Sequence, residues 1–171
     1  MSTTTHPIYV TAIYKIYETG YDAAVWERLR TLAGTVKVLH CICSESDRSR
    51  AEAIPNLIPH YHEFESLETY KLLSQAHILP TIRKASKDTK EFMILMSAKT
   101  EIIHLVRSKG FYSSHYVWLD AGISKIFKDP FQTLSALHTA LEKPKKSSHI
   151  FIPGCHKPQQ DKNFLGYCIN W

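Results

Sequence analysis

The sequence predicts an α/β fold with a mostly parallel central sheet, and its first three segments carry the evidence. Residues 8–14 form a nearly continuous run of β-branched and aromatic side chains, which is typical of a strand buried on both faces. Residues 22–33 place apolar side chains at helical spacing and are followed by Gly34, a common helix stop. Residues 35–43 are again β-rich, and this strand, helix, strand order favours parallel pairing.

The middle of the chain predicts shorter elements. Residues 44–50 are polar and charged, so we expect a loop at the carboxyl end of the second strand, where open α/β sheets tend to bind ligands. Prolines break the next stretch and leave a short candidate strand at residues 60–64. Residues 66–85 have helical spacing that Pro80 interrupts, which indicates two short helices or one kinked helix.

The second half continues the alternation of helices and strands. Residues 88–109 carry apolar side chains at the spacing of one face of a helix, which predicts one amphipathic helix. A short apolar strand is predicted at residues 116–119, and a further helix at residues 132–141. A strand at residues 150–152 and an apolar run at residues 164–171 complete the pattern.

Composition narrows the class of protein. The chain has 171 residues, of which 44% are hydrophobic and 22% charged, so a disordered or fibrous protein is excluded. This length, with no repeat or linker, predicts a single domain over residues 1–171. The sequence shows no signal-peptide pattern and no apolar stretch long enough for a membrane span, so we expect a cytoplasmic protein. Four cysteines without a C-x-x-C pair predict reduced thiols.

The charge balance is also compatible with a second class of function, the binding of a polyanion. Lys and Arg number 21 against 16 Asp and Glu, a net charge of +5 that is compatible with a polyanionic partner. The excess is modest and scattered, and its densest cluster, Lys143, Lys145 and Lys146, has the Pro and Ser neighbours of a solvated loop. Nucleic acid is therefore the less favoured partner.

Asp120 is the strongest local signal of chemistry. It directly follows a four-residue apolar strand and precedes two small residues, Ala121 and Gly122. That pattern predicts a carboxylate at the carboxyl edge of the sheet, where it can meet a metal or phosphate site. A capping Asp in a strand-exit turn is the competing interpretation.

Lys99 is the second unusual residue, because it falls on the apolar stripe of its helix. A lysine is rarely buried without a partner. Its stem can pack while the ammonium reaches the rim, or the ammonium can point into a cleft to meet an anion such as phosphate. Together with Asp120, it favours nucleotide-sugar or nucleoside-phosphate chemistry. The chain also lacks a G-x-S-x-G elbow and a Gly-rich phosphate loop.

Three further features are less specific. His60 and His62 share one side of a predicted strand and would suit zinc, although no third ligand is in view. Cys41 and Cys43 also share a strand face, which favours buried structural thiols. His156 follows the strand at residues 150–152 in a turn-rich segment, either as a late contact to a ligand or simply as part of a loop.

Four segments occur in an order that resembles the HtrL/YibB-like family, whose members are classed as glycosyltransferases and occur in bacteria and large viruses. They are VTAIYKIYE at residues 10–18, EFMILMSAKTEII at 91–103, YVWLDAGI at 116–123 and IFIPGC at 150–155. The pairing of SAKTE with WLDAGI is the most specific part. The resemblance covers most of the chain, from about Val10 to Trp171.

The resemblance implies a Rossmann-like fold of the GT-A type, a three-layer sandwich that binds a nucleotide sugar. In such enzymes a carboxylate after a central strand holds Mn²⁺ or Mg²⁺ against the diphosphate, which gives Asp120 the role of metal ligand and donor-binding residue. Lys99 corresponds to a basic donor-binding residue on the preceding helix. Thr11, Ala12 and Tyr14 would border the nucleoside.

The same resemblance predicts a glycosyltransferase that moves a sugar from a nucleotide-sugar donor to a glycan or other hydroxyl acceptor. Enzymes of the GT-A type usually carry Asp-x-Asp, whereas this chain has Asp120-Ala121-Gly122. They also usually need more chain for the acceptor side, so 171 residues indicate a donor-binding portion truncated from a longer protein, or an unusually small enzyme. The alternative is a non-catalytic module that binds a nucleotide or nucleic acid through its basic surface.

Overall fold

Four parallel strands form the central sheet in the part of the chain that the computed structural model describes. The described residues are 6–16, 23–76, 89–126 and 128–142. The strands are β1 (Ile8–Ile13), β2 (Leu39–Cys43), β3 (Leu57–Tyr61) and β4 (Tyr116–Trp118). Their order across the sheet is β3-β2-β1-β4, and each neighbouring pair is parallel. The predicted α/β fold with a parallel sheet is confirmed.

Helices cover both faces of this sheet. They are α1 (Ala23–Ala33), α2 (Arg48–Glu52), α3 (Glu68–Leu73), α4 (Lys90–Ser97), α5 (Lys99–Ser108) and α6 (Pro130–Glu142). Short 3₁₀ turns lie at Glu45–Asp47, Phe64–Ser66 and Ile123–Ile126. Helices α1 and α6 contribute to the core on one face, and α4 and α5 to the core on the other. No described helix is long and apolar enough to cross a membrane.

Alternate residues of β1 point into two separate cores. Tyr9 and Ile13 belong to the core with α1, whereas Val10 and Ala12 belong to the core with α4 and α5. The alternation follows from the two-residue period of a strand. Each side chain of the size of Val10 contributes about 1.5–3 kcal/mol when it is fully buried. Burial on both faces explains why this strand is apolar almost throughout.

Three elements differ from the sequence prediction. Residues 44–50, predicted as a loop, form a 3₁₀ turn and most of α2. The strand predicted at residues 60–64 begins earlier and ends earlier, because Pro59 is tolerated within β3 at the edge of the described sheet. The helix predicted over residues 88–109 is divided at Ala98, where the backbone keeps helical angles (φ −81°, ψ −2°).

Several predicted elements lie outside the described residues. They are the second half of the helical stretch at residues 66–85, the strand at residues 150–152 and the apolar run at residues 164–171. The basic cluster that begins at Lys143 and the candidate residue His156 also lie outside them.

Candidate functional site

A cleft of about 310 Å³ lies at the carboxyl ends of β1 and β4. The chain runs outward from β1 to β2 and β3, and then returns to place β4 on the opposite side of β1. The strand order therefore reverses between β1 and β4. Connections leave the two strands in opposite directions at such a point, which opens the crevice where α/β sheets bind ligands.

Main-chain hydrogen bonds hold the turn that follows β4. The Leu119 N–H donates to the Val10 carbonyl at 2.9 Å, which extends the pairing of β4 with β1 by one residue. The Ile123 N–H donates to the Asp120 carbonyl, also at 2.9 Å, and closes the turn. The Leu119 side chain is buried in the core. Its neighbour Asp120 is half exposed and lines the cleft.

Lys99 and Asp120, the two charged residues singled out from the sequence, form an ion pair in the cleft. The Lys99 Nζ lies 3.0 Å from Asp120 Oδ1. The Trp118 Nε1–H donates to the same oxygen at 2.7 Å. The Lys99 ammonium also lies 5.3 Å from the centre of the Trp118 ring. The lysine side chain is 24% exposed and the aspartate 50%, so both remain within reach of a ligand.

The helical spacing that continues from α4 into α5 places Lys99 at the cleft. Lys99 is the first residue of α5, directly after Ala98, which is fully buried. The start of α4 is fixed by Thr89, whose Oγ1 accepts a hydrogen bond from the Phe92 N–H at 3.2 Å. Phe92, Leu95 and Lys99 therefore follow one another at helical spacing, and all three line the cleft.

The cleft wall is mainly apolar and carries more cations than anions. Its charged side chains in the described part of the chain are Arg28, Lys99, Lys125 and Asp120. Arg28 lies on α1 and is half-buried, whereas Lys125 is exposed on the 3₁₀ turn after β4. An apolar cleft with a local excess of positive charge suits a ligand that combines an anionic group with a ring system.

The structure brings most, but not all, of the predicted site residues together. Ala12, Tyr14, Lys99 and Asp120 line the cleft. Thr11 is fully buried one residue before Ala12 in the strand and does not line the cleft. Its Oγ1 has no hydrogen-bond partner in the described part of the chain. The contact of Thr11 with a nucleoside stays a prediction.

Tyr14 lines the cleft, but its hydroxyl is already hydrogen-bonded within the protein. Its OH donates to the His62 carbonyl at 3.0 Å, and its ring packs against Phe64 with centroids 5.0 Å apart. Burial, with smaller contributions from nearby Cys41 and Cys43, raises the pKa of Tyr14 well above its usual range. The hydroxyl therefore stays protonated and serves to hold the end of β1 against the segment after β3.

Of the charged and aromatic residues that line the cleft, sequence reasoning missed four, which are Arg28, Phe92, Trp118 and Lys125. Arg28 follows Val25 by three residues on α1, so helical spacing alone would have put the two side by side. Local spacing does not encode strand order, so it could not show that this side of α1 faces the end of β4. Trp118 was visible only as an apolar strand residue.

The residues present do not provide the ligand set of the divalent metal that the resemblance implies. Asp120 is the one carboxylate among the described lining residues, and its Oδ1 already accepts from Trp118 and pairs with Lys99. No group of three or more His, Cys, Asp or Glu suited to a metal occurs among the described residues. Mg²⁺ and Mn²⁺ prefer several oxygen ligands, and an ammonium at 3.0 Å repels them.

A second polar cluster lies inside the core on the α4 and α5 face. His40 Nδ1 and His60 Nε2 are 3.0 Å apart, with ring planes inclined by 6°. The edge of Phe111 packs against both rings. His60 therefore pairs with His40 on the neighbouring strand, whereas the sequence had suggested His62, whose Nε2 is buried without a partner among the described residues.

Burial governs the titration of this pair. It lowers the pKa of His40 to about 4 and that of His60 to about 4, with His40 and Lys109 lowering the pKa of His60 further. Both rings are therefore neutral near pH 7, where one nitrogen donates a proton and the other accepts it. Zinc binding would take the lone pair that this hydrogen bond uses.

The two described cysteines are structural, as the sequence predicted. Cys41 and Cys43 are reduced and fully buried in the core with α1. A hydrogen bond with Cys43, together with burial, raises the pKa of the Cys41 thiol well above its usual range. Because the thiolate is the nucleophilic form, Cys41 does not suit covalent catalysis.

Comparison of the chain with protein-family models, with curated protein sequences and with solved structures finds no match.

Proposed function

We propose that this chain is a nucleotide-sugar-dependent glycosyltransferase, or the donor-binding part of one, with a fold of the GT-A type. The donor lies in the cleft between the carboxyl ends of β1 and β4. The observation that carries the proposal is the Lys99 ammonium, which lies 3.0 Å from Asp120 at the point where the strand order reverses. The resemblance of SAKTE and WLDAGI to the HtrL/YibB-like family supports the same assignment.

The wall of the cleft matches the parts of such a donor. The diphosphate requires cations, which Lys99 and Arg28 can supply. The nucleoside and sugar require apolar and aromatic surface, which Phe92, Leu95 and Trp118 can provide. The cleft volume of about 310 Å³ lies at the lower end of the range for small-molecule sites, so it suits part of a donor more than a complete donor and acceptor.

The chemistry assigned to the cleft is stabilisation of a leaving group. Transfer breaks the bond between the sugar and the nucleoside diphosphate, and negative charge develops on the departing phosphate. A pre-positioned ammonium such as Lys99 lowers the energy of that charge without reorganisation during the reaction. Trp118 and Asp120 hold this ammonium at the cleft, so its orientation is already set.

Calorimetric titration of the full chain with UDP-sugars and GDP-sugars, with and without Mn²⁺, tests the proposal. We expect at least one donor to bind in the cleft and, with a suitable hydroxyl acceptor, to release nucleoside diphosphate. Binding of oligonucleotides alone, with a steep salt dependence, would instead identify the nucleic-acid-binding alternative.

Lys99→Met is the most informative variant, because Met keeps the packing of the lysine stem and removes only the charge. We expect donor affinity to fall by about tenfold, the lower end of the effect of a charged hydrogen bond at a partly exposed site. Arg107→Met is the matched control, since it removes a charge from the same helix about 12 Å further along. A Lys99→Met variant that loses stability but keeps its donor affinity would show that Lys99 is structural.

A further inference from the structure

The ion pair in the cleft points to a way of binding phosphate that differs from a metal bridge. Lys99 and Asp120 face each other at 3.0 Å, so the carboxylate occupies the position beside the ammonium that an anionic ligand would take. The carboxylate is half exposed and is held by the Trp118 indole at 2.7 Å, so Lys99 is the partner that can turn from it toward an arriving ligand. A partly exposed ion pair of this kind is worth at most about 1 kcal/mol, so a multiply charged ligand can displace it.

The other charged residues of the cleft also favour the binding of an anionic ligand. Arg28 and Lys125 also line the wall, so three cations face one carboxylate among the described residues. A guanidinium such as that of Arg28 can bind two phosphate oxygens at once, and an ammonium binds as a point charge. The cations alone can therefore balance most of the charge of a diphosphate.

We propose that the cleft binds the diphosphate of its ligand directly through Lys99, Arg28 and Lys125, without a divalent metal ion, and that Asp120 is the counter-ion this diphosphate displaces. The inference deepens the proposed function and rests on it for the identity of the ligand as a nucleoside diphosphate compound. It reverses the role of Asp120, from a group that attracts the ligand through a metal to one that competes with the ligand for Lys99.

The two roles of Asp120 predict opposite effects of one isosteric substitution. If Asp120 competes for Lys99, Asp120→Asn frees the ammonium and removes a repulsive charge, so the affinity for a diphosphate rises by about threefold or more. If Asp120 holds a metal, the same variant loses metal-dependent binding. Asn keeps the shape of the side chain, and circular dichroism melting confirms that each variant is folded.

The experiment is calorimetric titration of the full chain with UDP and with inorganic pyrophosphate in EDTA, repeated for UDP in excess Mn²⁺. We expect UDP to bind in EDTA with an affinity within about threefold of that in Mn²⁺, since no metal contributes. We expect Arg28→Gln to weaken binding by about fivefold and Lys125→Gln by about twofold, because Lys125 is the more exposed. Arg107→Gln is the control outside the cleft, and we expect it to leave affinity unchanged.

The outcomes separate this inference from the proposed function. Binding of UDP and of nucleotide sugars only in Mn²⁺, lost in Asp120→Asn, would overturn metal-free recognition and leave a nucleotide-sugar site in place. Binding of pyrophosphate in EDTA without binding of any nucleotide or nucleotide sugar would support the cationic site and overturn the nucleotide-sugar function. Absence of binding by every probe would overturn both.

Discussion

A single oxygen atom organises the charged part of the cleft. Oδ1 of Asp120 accepts the Trp118 indole hydrogen bond at 2.7 Å and pairs with Lys99 at 3.0 Å. The indole fixes the carboxylate, and the carboxylate in turn orients the ammonium. Because the pair is partly exposed, its own contribution to stability is small, and a ligand of higher charge can take the place of the carboxylate beside Lys99.

The neutral His40–His60 pair makes the stability of the fold depend on pH. Each ring has a pKa of about 4 in the folded protein, against an ordinary value of 6.5. The unfolded chain therefore binds more protons between these values, so stability is lost as pH falls through that window. We expect the free energy of unfolding to fall by about 4 kcal/mol between pH 7 and pH 5, about 2 kcal/mol for each ring, measured by urea denaturation.

The double variant His40→Leu, His60→Leu is the control for this effect. Replacing both partners with apolar groups removes the titration without leaving one ring unpaired in the core. We expect the variant to lose most of the difference between the two pH values. A wild-type protein equally stable at pH 7 and pH 5, or NMR titration of either ring near pH 6.5, would contradict the assignment.

At the scale of single residues, the sequence indicated which residues belong to the candidate site, but it did not indicate which residues they contact. Lys99 stood out because it interrupts an apolar stripe, and Asp120 because it follows an apolar strand. Their mutual contact could not be predicted, since it depends on how α5 lies against the end of β4. Thr11 could not be distinguished from its neighbours, because a run that is apolar on both faces gives no sign of which residues face the cleft.

Two helices on one face of the sheet are joined by a single carboxylate. Glu101, in the first turn of α5, accepts the Glu68 N–H at 2.7 Å and the Thr69 N–H at 2.9 Å with its two oxygens. These are the first two amides of α3, which have no partner within their own helix. Burial alone would raise the pKa of Glu101, but hydrogen bonds from Thr69 and Glu68 outweigh it and lower the pKa.

Glu101→Gln tests this connection between α3 and α5. The amide can accept only one of the two hydrogen bonds, so we expect a loss of about 1–2 kcal/mol in the free energy of unfolding at pH 7. Because the folded-state pKa lies below the ordinary 4.5, the stabilisation is present above that pH and is lost as pH falls further. Urea denaturation at pH 7 and at low pH measures both effects.

Glu65→Gln is the matched control, because it neutralises an exposed carboxyl just before α3. We expect it to change stability by less than about 0.5 kcal/mol. Equal effects of Glu101→Gln and Glu65→Gln would show that general charge, and not the paired hydrogen bonds, accounts for the loss.

At the scale of elements, periodicity predicted the long, regular segments and failed at the short ones. The apolar runs of β1 and β4 and the stripe of α4 and α5 were visible because burial imposes a repeat on the sequence. Helix α2 was missed because its five residues, RSRAE, bury only Ala51 and so carry no repeat. The strand β3 was shifted because a proline interrupts it at a sheet edge that the sequence does not mark.

At the scale of the whole molecule, the position of the cleft follows from strand order. The order β3-β2-β1-β4 puts the first strand between the second and the last of the described strands. Local sequence predicted that strands and helices alternate, but the reversal depends on which edge of the sheet each strand joins. The cleft is therefore a product of topology, and the residues that line it come from segments far apart in the chain.

The whole fold should be stabilised by a ligand that binds this cleft, and the dependence of that stabilisation on Lys99 and on salt separates the two candidate functions. A ligand at about one hundred times its Kd adds about 2.7 kcal/mol to the free energy of unfolding, which for a chain of this size raises Tm by about 5–10 °C. We expect UDP to produce this shift in wild-type protein, measured by differential scanning fluorimetry, and a much smaller shift at the same concentration in Lys99→Met.

Oligonucleotides provide the contrasting ligand. The net charge of +5 is scattered over the chain, so binding through it would involve many weak phosphate contacts and would disappear steeply as salt is raised. A cleft that encloses one diphosphate loses far less affinity over the same range, because fewer counter-ions are released. A shift in Tm that persists in moderate salt with UDP and vanishes with oligonucleotide would assign function to the cleft. The reverse pattern, unaffected by Lys99→Met, would assign it to the basic surface.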